Sequence, residues 1–91
     1  MDQLSLREIK RTNEKVRMWQ KAFEIEDTAF IFKEMFRMTA EGYKHQSLDI
    51  PVKSRNPEDH QIISRFFYEC LNFPGYFEQN EDGNFYFSGT F

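Results

Sequence analysis

Sixteen of the chain's 91 residues are aromatic, eleven Phe, four Tyr and one Trp, and they outnumber its twelve Leu, Ile and Val. A polypeptide of this length makes one domain, residues 1–91, and hides only about 60–65% of the surface its unfolded form exposes. Each ring brings about 150–250 Å² that needs cover. A small core packed mainly with rings leaves some of them partly in water, and exposed rings favour association. Leu, Ile, Val and Phe together make 23 of the 91 residues, above the roughly 20% below which disorder sets in. The chain is therefore expected to fold, and to need a companion: a second copy in a homodimer, or another protein.

Local signals predict an α+β fold, mainly α-helical, with three helices and a C-terminal β-hairpin packed on them. The first helix reads from Leu4 to about Ile25. Ile9, Val16, Trp19 and Phe23 recur at spacings of seven, three and four, with Ser5 and Thr12 in the same stripe. Arg7, Lys10, Arg11, Glu14, Arg17 and Lys21 take the other side. Met18, Ala22 and Ile25 form a second apolar strip within that outer face, which implies cover from two directions, by the next helix or by a second chain. Asp27 and Thr28 offer capping oxygens for a second helix running to Glu41, and Gly42 follows where φ > 0 is needed. Phe30, Ile31, Phe32, Met35, Phe36 and Met38 cover so much of its circumference that this helix is expected to be central and the most buried. The alternative is one helix from 4 to 41, since Glu26-Asp27 breaks nothing by force.

Residues 43–56 show no periodicity, and Leu48, Ile50 and Val52 around Pro51 suit a loop with a short edge strand. Asn56-Pro57-Glu58-Asp59 is the clearest local signal. It supplies an N-cap amide, a proline at the first helical position and two carboxylates at the positive end of the dipole. The helix it starts is expected to reach about Asn72, burying Ile62, Ile63, Phe66, Phe67, Cys70 and Leu71, with Pro74-Gly75 ending it. In the hairpin, Asn80-Glu81-Asp82-Gly83 makes the turn, and Phe85, Phe87 and Phe91 alternate with Asn84, Tyr86 and Ser88. A four-residue loop pairs Phe77 with Tyr86 and Tyr76 with Phe87.

The sequence offers little chemistry. His45, His60, Cys70, Asp49, Glu58 and Asp59 are the available metal ligands, and none has ligand spacing. Cys70 and His60 stand about 15 Å apart along one helix axis, too far for a nucleophile and its base. The thiol also falls on an apolar side, where a thiolate is disfavoured. Glycines 42, 75, 83 and 89 stand alone, so no phosphate-cradling loop exists, and one cysteine forms no internal disulfide. The expectation is a protein that is not an enzyme and binds no cofactor or metal. No apolar run approaches the roughly 18 residues of a membrane span, and no charged-then-apolar leader opens the chain. A cytoplasmic protein without a membrane partner is expected.

Charge separates three functional readings. The net charge is −3. Residues 1–56 carry 11 basic and 9 acidic side chains, whereas residues 57–91 set Arg65 against Glu58, Asp59, Glu69, Glu78, Glu81 and Asp82. The first reading is a small protein–protein interaction module, a regulator, adaptor or inhibitor of another protein. It is homodimeric through the first helix, with Met18, Trp19, Ala22, Phe23 and Ile25 at the contact. The basic face of one subunit then steers toward the acidic third of the other. The alternative is a nucleic-acid-binding regulator whose Arg7, Lys10, Arg11, Lys15, Arg17 and Lys21 lie along phosphates. Against it, the helix before the hairpin exposes Glu58, Gln61, Ser64, Arg65 and Glu69, and the hairpin tip is acidic. The third reading is an acidic mimic of a phosphate track, for which −3 is little charge. In size, aromatic content and lack of catalytic motifs the chain resembles phage or mobile-element accessory proteins, a likeness carried by no particular residue.

Overall fold

The helix announced by Asn56-Pro57 is the one around which everything else is arranged. In the computed structural model, which describes residues 6–42 and 47–90, the order is α1 (Leu6–Ala22), α2 (Glu26–Ala40), β1 (Ser47–Val52), α3 (Pro57–Leu71), β2 (Tyr76–Gln79) and β3 (Phe85–Thr90). This is the α+β arrangement of three helices and a C-terminal hairpin, with β1 added as a third strand. Leu4, Ser5, His45 and Phe91 lie outside the described residues.

At the start of α3 the Asn56 Oδ1 accepts a hydrogen bond from the Glu58 N–H at 3.0 Å, and Pro57 fills the first position, where no N–H is needed. The helix ends at Asn72 as expected, although the stop is Asn72 itself and not Pro74-Gly75. Asn72 takes φ 54° in the left-handed region, and the Phe73 N–H donates back to the Phe67 carbonyl at 2.8 Å. Asn tolerates this conformation better than most residues, so the chain turns before the proline is reached.

One face of α3 rests on an antiparallel sheet of order β1-β3-β2. Leu48 and Ile50 of β1, Phe87 of β3, and Ile63, Phe66 and Phe67 of α3 are buried together. Pro51 sits on an edge strand as expected, where its missing donor removes no ladder bond. The hairpin register differs from expectation by one residue. Phe77 pairs with Phe87 and Glu78 with Tyr86. The reason lies in the turn: the Asn80 N–H still bonds the Asn84 carbonyl at 2.9 Å, so the loop proper is Glu81-Asp82-Gly83. Gly83 takes φ 85°, which suits a type I turn closed by a left-handed residue. That register puts both Phe77 and Phe87 on the α3 side. At Gly89 the sheet admits the Phe73 ring so closely that a Cβ would come within 2.6 Å of it.

The first two helices are separate, joined by a turn at residues 23–25. Asp27 and Thr28 do not cap α2, which begins at Glu26 after an uncapped Ile25. They are buried ties. The Thr28 hydroxyl donates to the Ala22 carbonyl at 2.5 Å, a second bond to an oxygen at the end of α1 that also accepts the Ile25 N–H at 3.0 Å. The Asp27 carboxylate accepts the Lys53 and Ser54 N–H groups at 2.8 Å each, fastening α2 to the β1–α3 connection. α2 is also not the central helix. It buries only Asp27, Thr28 and Ile31, because α3 occupies the centre and α2 has a neighbour on one side only.

The result is a thin, extended molecule of 54 × 32 × 17 Å with a radius of gyration of 15.0 Å, against about 12 Å for a typical domain of this length. Its accessible surface is 6994 Å², against roughly 5,700 Å² for a monomer of its mass.

Candidate interaction surface

α1 and α3 run antiparallel. Trp19 meets Phe66 edge-on at 4.8 Å between ring centroids, and Lys15 lies near enough to Cys70 for its charge to act on the thiol. This register carries the first half of α1 beyond the end of α3 at Leu71. Every residue from Leu6 to Arg17 is exposed.

At 100° per residue, Ile9, Thr12, Val16, Trp19 and Phe23 occupy an arc of about 80°. Arg7, Lys10, Arg11, Arg17 and Lys21 spread over the opposite arc, and Lys15 stands between the two. The apolar strip expected to face inward is only half covered: Ile9 is 41% exposed, Val16 49%, Trp19 39% and Phe23 41%. The second strip is better covered. Ala22 is fully buried, and Met18 and Ile25 are half-buried against the core. Of the five residues expected at a protein contact, Trp19 and Phe23 therefore present the surface, while Met18, Ala22 and Ile25 serve mainly inside the chain.

The strip continues onto α2. Trp19 and Phe23 stack nearly parallel (5.6 Å, 7°), Phe32 lies 6.0 Å from Phe23, and Phe36 lies 5.2 Å from Phe32. Phe36 is 65% exposed. An open apolar cavity of about 330 Å³ lies beside it, lined by Phe32, Met35, Phe36, Thr39 and Leu71. The rings of Trp19, Phe23 and Phe32 meet across α1 and α2 above Phe66 and Phe67 of α3 and form one half-exposed aromatic face, and the cavity is a groove at its edge between α2 and the last turn of α3. Sequence reasoning omitted the α2 and α3 contribution, although the over-covered circumference of α2 was a sign of a ring facing out.

Among the described residues the cations outside α1 are engaged, except Lys33 of α2, which makes no ion pair. Arg37 bonds Glu34 and Glu41, Lys53 bonds Glu26, Arg65 pairs with Glu69, and Arg55 lies 5.7 Å over the Phe85 ring. Among the described residues, Arg7, Lys10, Arg11, Lys15, Arg17 and Lys21 make no ion pair. The C-terminal acids do not gather into one track. Glu58 and Asp59 open α3, Glu69 pairs with Arg65, Glu78 sits on β2, and Glu81 and Asp82 form the hairpin turn.

The remaining candidates have structural tasks. His60 is buried, bonds the Ser54 carbonyl through Nε2 at 2.6 Å, and stacks on Phe77 at 4.2 Å. The Asp59 carboxylate accepts the Ser54 hydroxyl at 2.8 Å. Burial pushes the Cys70 thiol above its ordinary range, with Lys15 opposing and Glu69 adding to the rise. Among the described residues no group of three or more His, Cys, Asp or Glu is disposed to hold a metal, and no helix is long and apolar enough to cross a membrane. Comparison with known protein families, with curated proteins and with solved structures finds no match for this chain.

Proposed function

We propose that this protein is a non-enzymatic interaction module, a regulator, adaptor or inhibitor that takes an amphipathic helix of a protein partner onto the aromatic face shared by α1 and α2 and into the groove at its edge beside Phe36. One observation carries the reading: Trp19 and Phe32 stay partly in contact with water while touching the buried Phe66 and Phe67, and Phe36, held through Phe32, extends the exposed face. A half-exposed aromatic face with an apolar groove at its edge offers the surface that an amphipathic helix covers with residues at i, i+3, i+4 and i+7. Aromatic side chains on a rigid support supply most of the affinity in such contacts. A cytoplasmic setting is part of the proposal, supported by the free thiol of Cys70.

Panning a displayed library of helical peptides tests the reading. Peptides with apolar residues at helical spacing are expected to be enriched and to shift the emission of Trp19, the single tryptophan, to the blue. Phe36→Glu, at a site exposed enough to fold normally, is expected to lose them. A library that yields no helical ligand at a dilution where chains are separate, or ligands indifferent to Phe36→Glu, overturns it.

A second reading, contact of α1 with nucleic-acid phosphates, is favoured by the six cations of α1 that make no ion pair among the described residues. If five cations engage, the logarithm of DNA affinity falls with the logarithm of salt at a slope of about −4.5. Lys10→Glu with Arg17→Glu abolishes this binding and leaves helical peptides bound. Absence of DNA binding at roughly 50 mM salt, where phosphate contacts are strong, disposes of it.

A further inference from the structure

We propose that the occupant of the groove is the first half of α1 from a second copy of this chain, the two copies exchanging these helices about a two-fold axis at Val16. The proposal rests on the groove being a helix-binding site, and it names the helix.

The exposed length of α1 is the first argument. Every residue from Leu6 to Arg17 is exposed, yet this stretch carries Ile9 and Val16 on one face. Helices shorter than about 12–15 residues are marginal in water when nothing packs against them. The stretch is an amphipathic helix whose apolar side is only half covered by its own chain. The groove at Phe36 is an apolar site that nothing among the described residues fills.

Charge is the second. A two-fold interface sets one patch against a copy of itself, so a patch rich in one sign of charge repels its mate. The basic arc of α1 fails this condition. The apolar strip meets it, because its neighbours on the wheel toward the outer side are Asn13 and Gln20. In an antiparallel pairing centred on Val16, Ile9 meets Phe23 of the second copy, Thr12 meets Gln20 and Asn13 meets Trp19. No charged residue faces its like along that line, and the basic arcs point away.

Area is the third. The chain exposes 6994 Å², about 1,300 Å² more than a monomer of its mass typically shows. A standard interface hides about 800 Å² on each partner. Each copy supplies one arm and one groove, so every contact except that of Val16 on the axis is made twice.

Light scattering behind size-exclusion chromatography at micromolar concentration is expected to give twice the 11.1 kDa chain mass. Phe36→Glu is expected to return a monomer with unchanged helix content. In a Cys70→Ser background, Val16→Cys chains cross-link to themselves on oxidation. Thr12→Cys chains mixed with Gln20→Cys chains form a mixed disulfide that neither forms alone, and Lys10→Cys, on the opposite arc, forms none. A monomer at every concentration up to millimolar overturns the proposal. If displayed helices still bind that monomer, the groove reading stands and only the occupant is wrong; if they do not, both fall. A dimer cross-linked by Lys10→Cys and not by Val16→Cys overturns the arrangement.

Discussion

Phe67 and Phe36 are the same residue type on neighbouring helices, linked through Phe32, and their surroundings have little in common. Phe67 is fully buried between α3's neighbours and the sheet, touching Phe66 and Phe87 at 5.1 Å each. Phe36 is 65% exposed and touches one ring. The α3–sheet half closes because two layers enclose its rings. The α1–α2 half stays open because its helices lie on α3 with nothing above them, in a molecule 17 Å thick. Aromatic content alone therefore does not decide burial here; the number of layers does. The open half is short of one layer, which is the physical basis for assigning it to a partner.

The largest difference between the halves is expected from truncating these two rings. Phe67→Ala removes a ring from a closed site and costs about 3–5 kcal/mol, a large part of the roughly 5–14 kcal/mol available to a domain of this length. Urea unfolding is expected to show a variant that is partly unfolded before denaturant is added. Phe36→Ala, measured at a dilution where chains are separate, is expected to stay within about 0.5 kcal/mol of the parent. Equal losses at the two positions would show that the halves are packed alike.

A smaller effect is expected at the tie between them. Asp27 holds two backbone N–H groups of the β1–α3 connection from the first turn of α2. Asp27→Ala leaves both donors without a partner at a site only 4% exposed, and each buried unpaired group costs about 1–3 kcal/mol. Asp27→Asn keeps one acceptor oxygen and is expected to recover about half of the loss. Amide hydrogen exchange locates the effect: protection at Lys53 and Ser54 is expected to fall first in Asp27→Ala. Protection unchanged there means that α2 is held by its rings alone.

The same division explains what was legible in the sequence. Asn56-Pro57, the Gly83 turn and the edge position of Pro51 depend on backbone chemistry within a few residues, so they were readable. The hairpin register was missed by one because the Asn80–Asn84 bond that shortens the loop belongs to the folded turn and not to residue type. α2 was misplaced at the centre because its six apolar residues say that much surface needs cover, and not whether the cover is in the same chain. The site was half legible for the same reason. Trp19 and Phe23 stood out by spacing, but their continuation through Phe32 to Phe36 depends on how far α1 and α2 stand apart. Asp27 and Thr28 looked like caps because capping uses the same oxygens that here bridge elements 26 residues apart in sequence.

Cys70 reports the junction between the halves, and the expected effect is the smallest. Burial raises its thiol above the ordinary range, with Lys15 of α1 pulling it back. The thiolate is the reactive form, so alkylation by iodoacetamide near pH 8 is expected to run several-fold slower than for a free thiol and to match it once guanidinium unfolds the chain. The raised value also fixes the direction of the linkage to stability. The folded chain holds this proton more tightly than the unfolded one, so the contribution is complete below the thiol's ordinary range and is lost as pH climbs through the folded value. Lys15→Ala makes the measurement decisive because its two consequences oppose each other. Removing the cation while α1 stays docked lifts the thiol further and slows alkylation. If Lys15→Ala instead speeds the reaction, α1 has left α3 and uncovered the sulfur, and the weaker half is weaker than its rings imply.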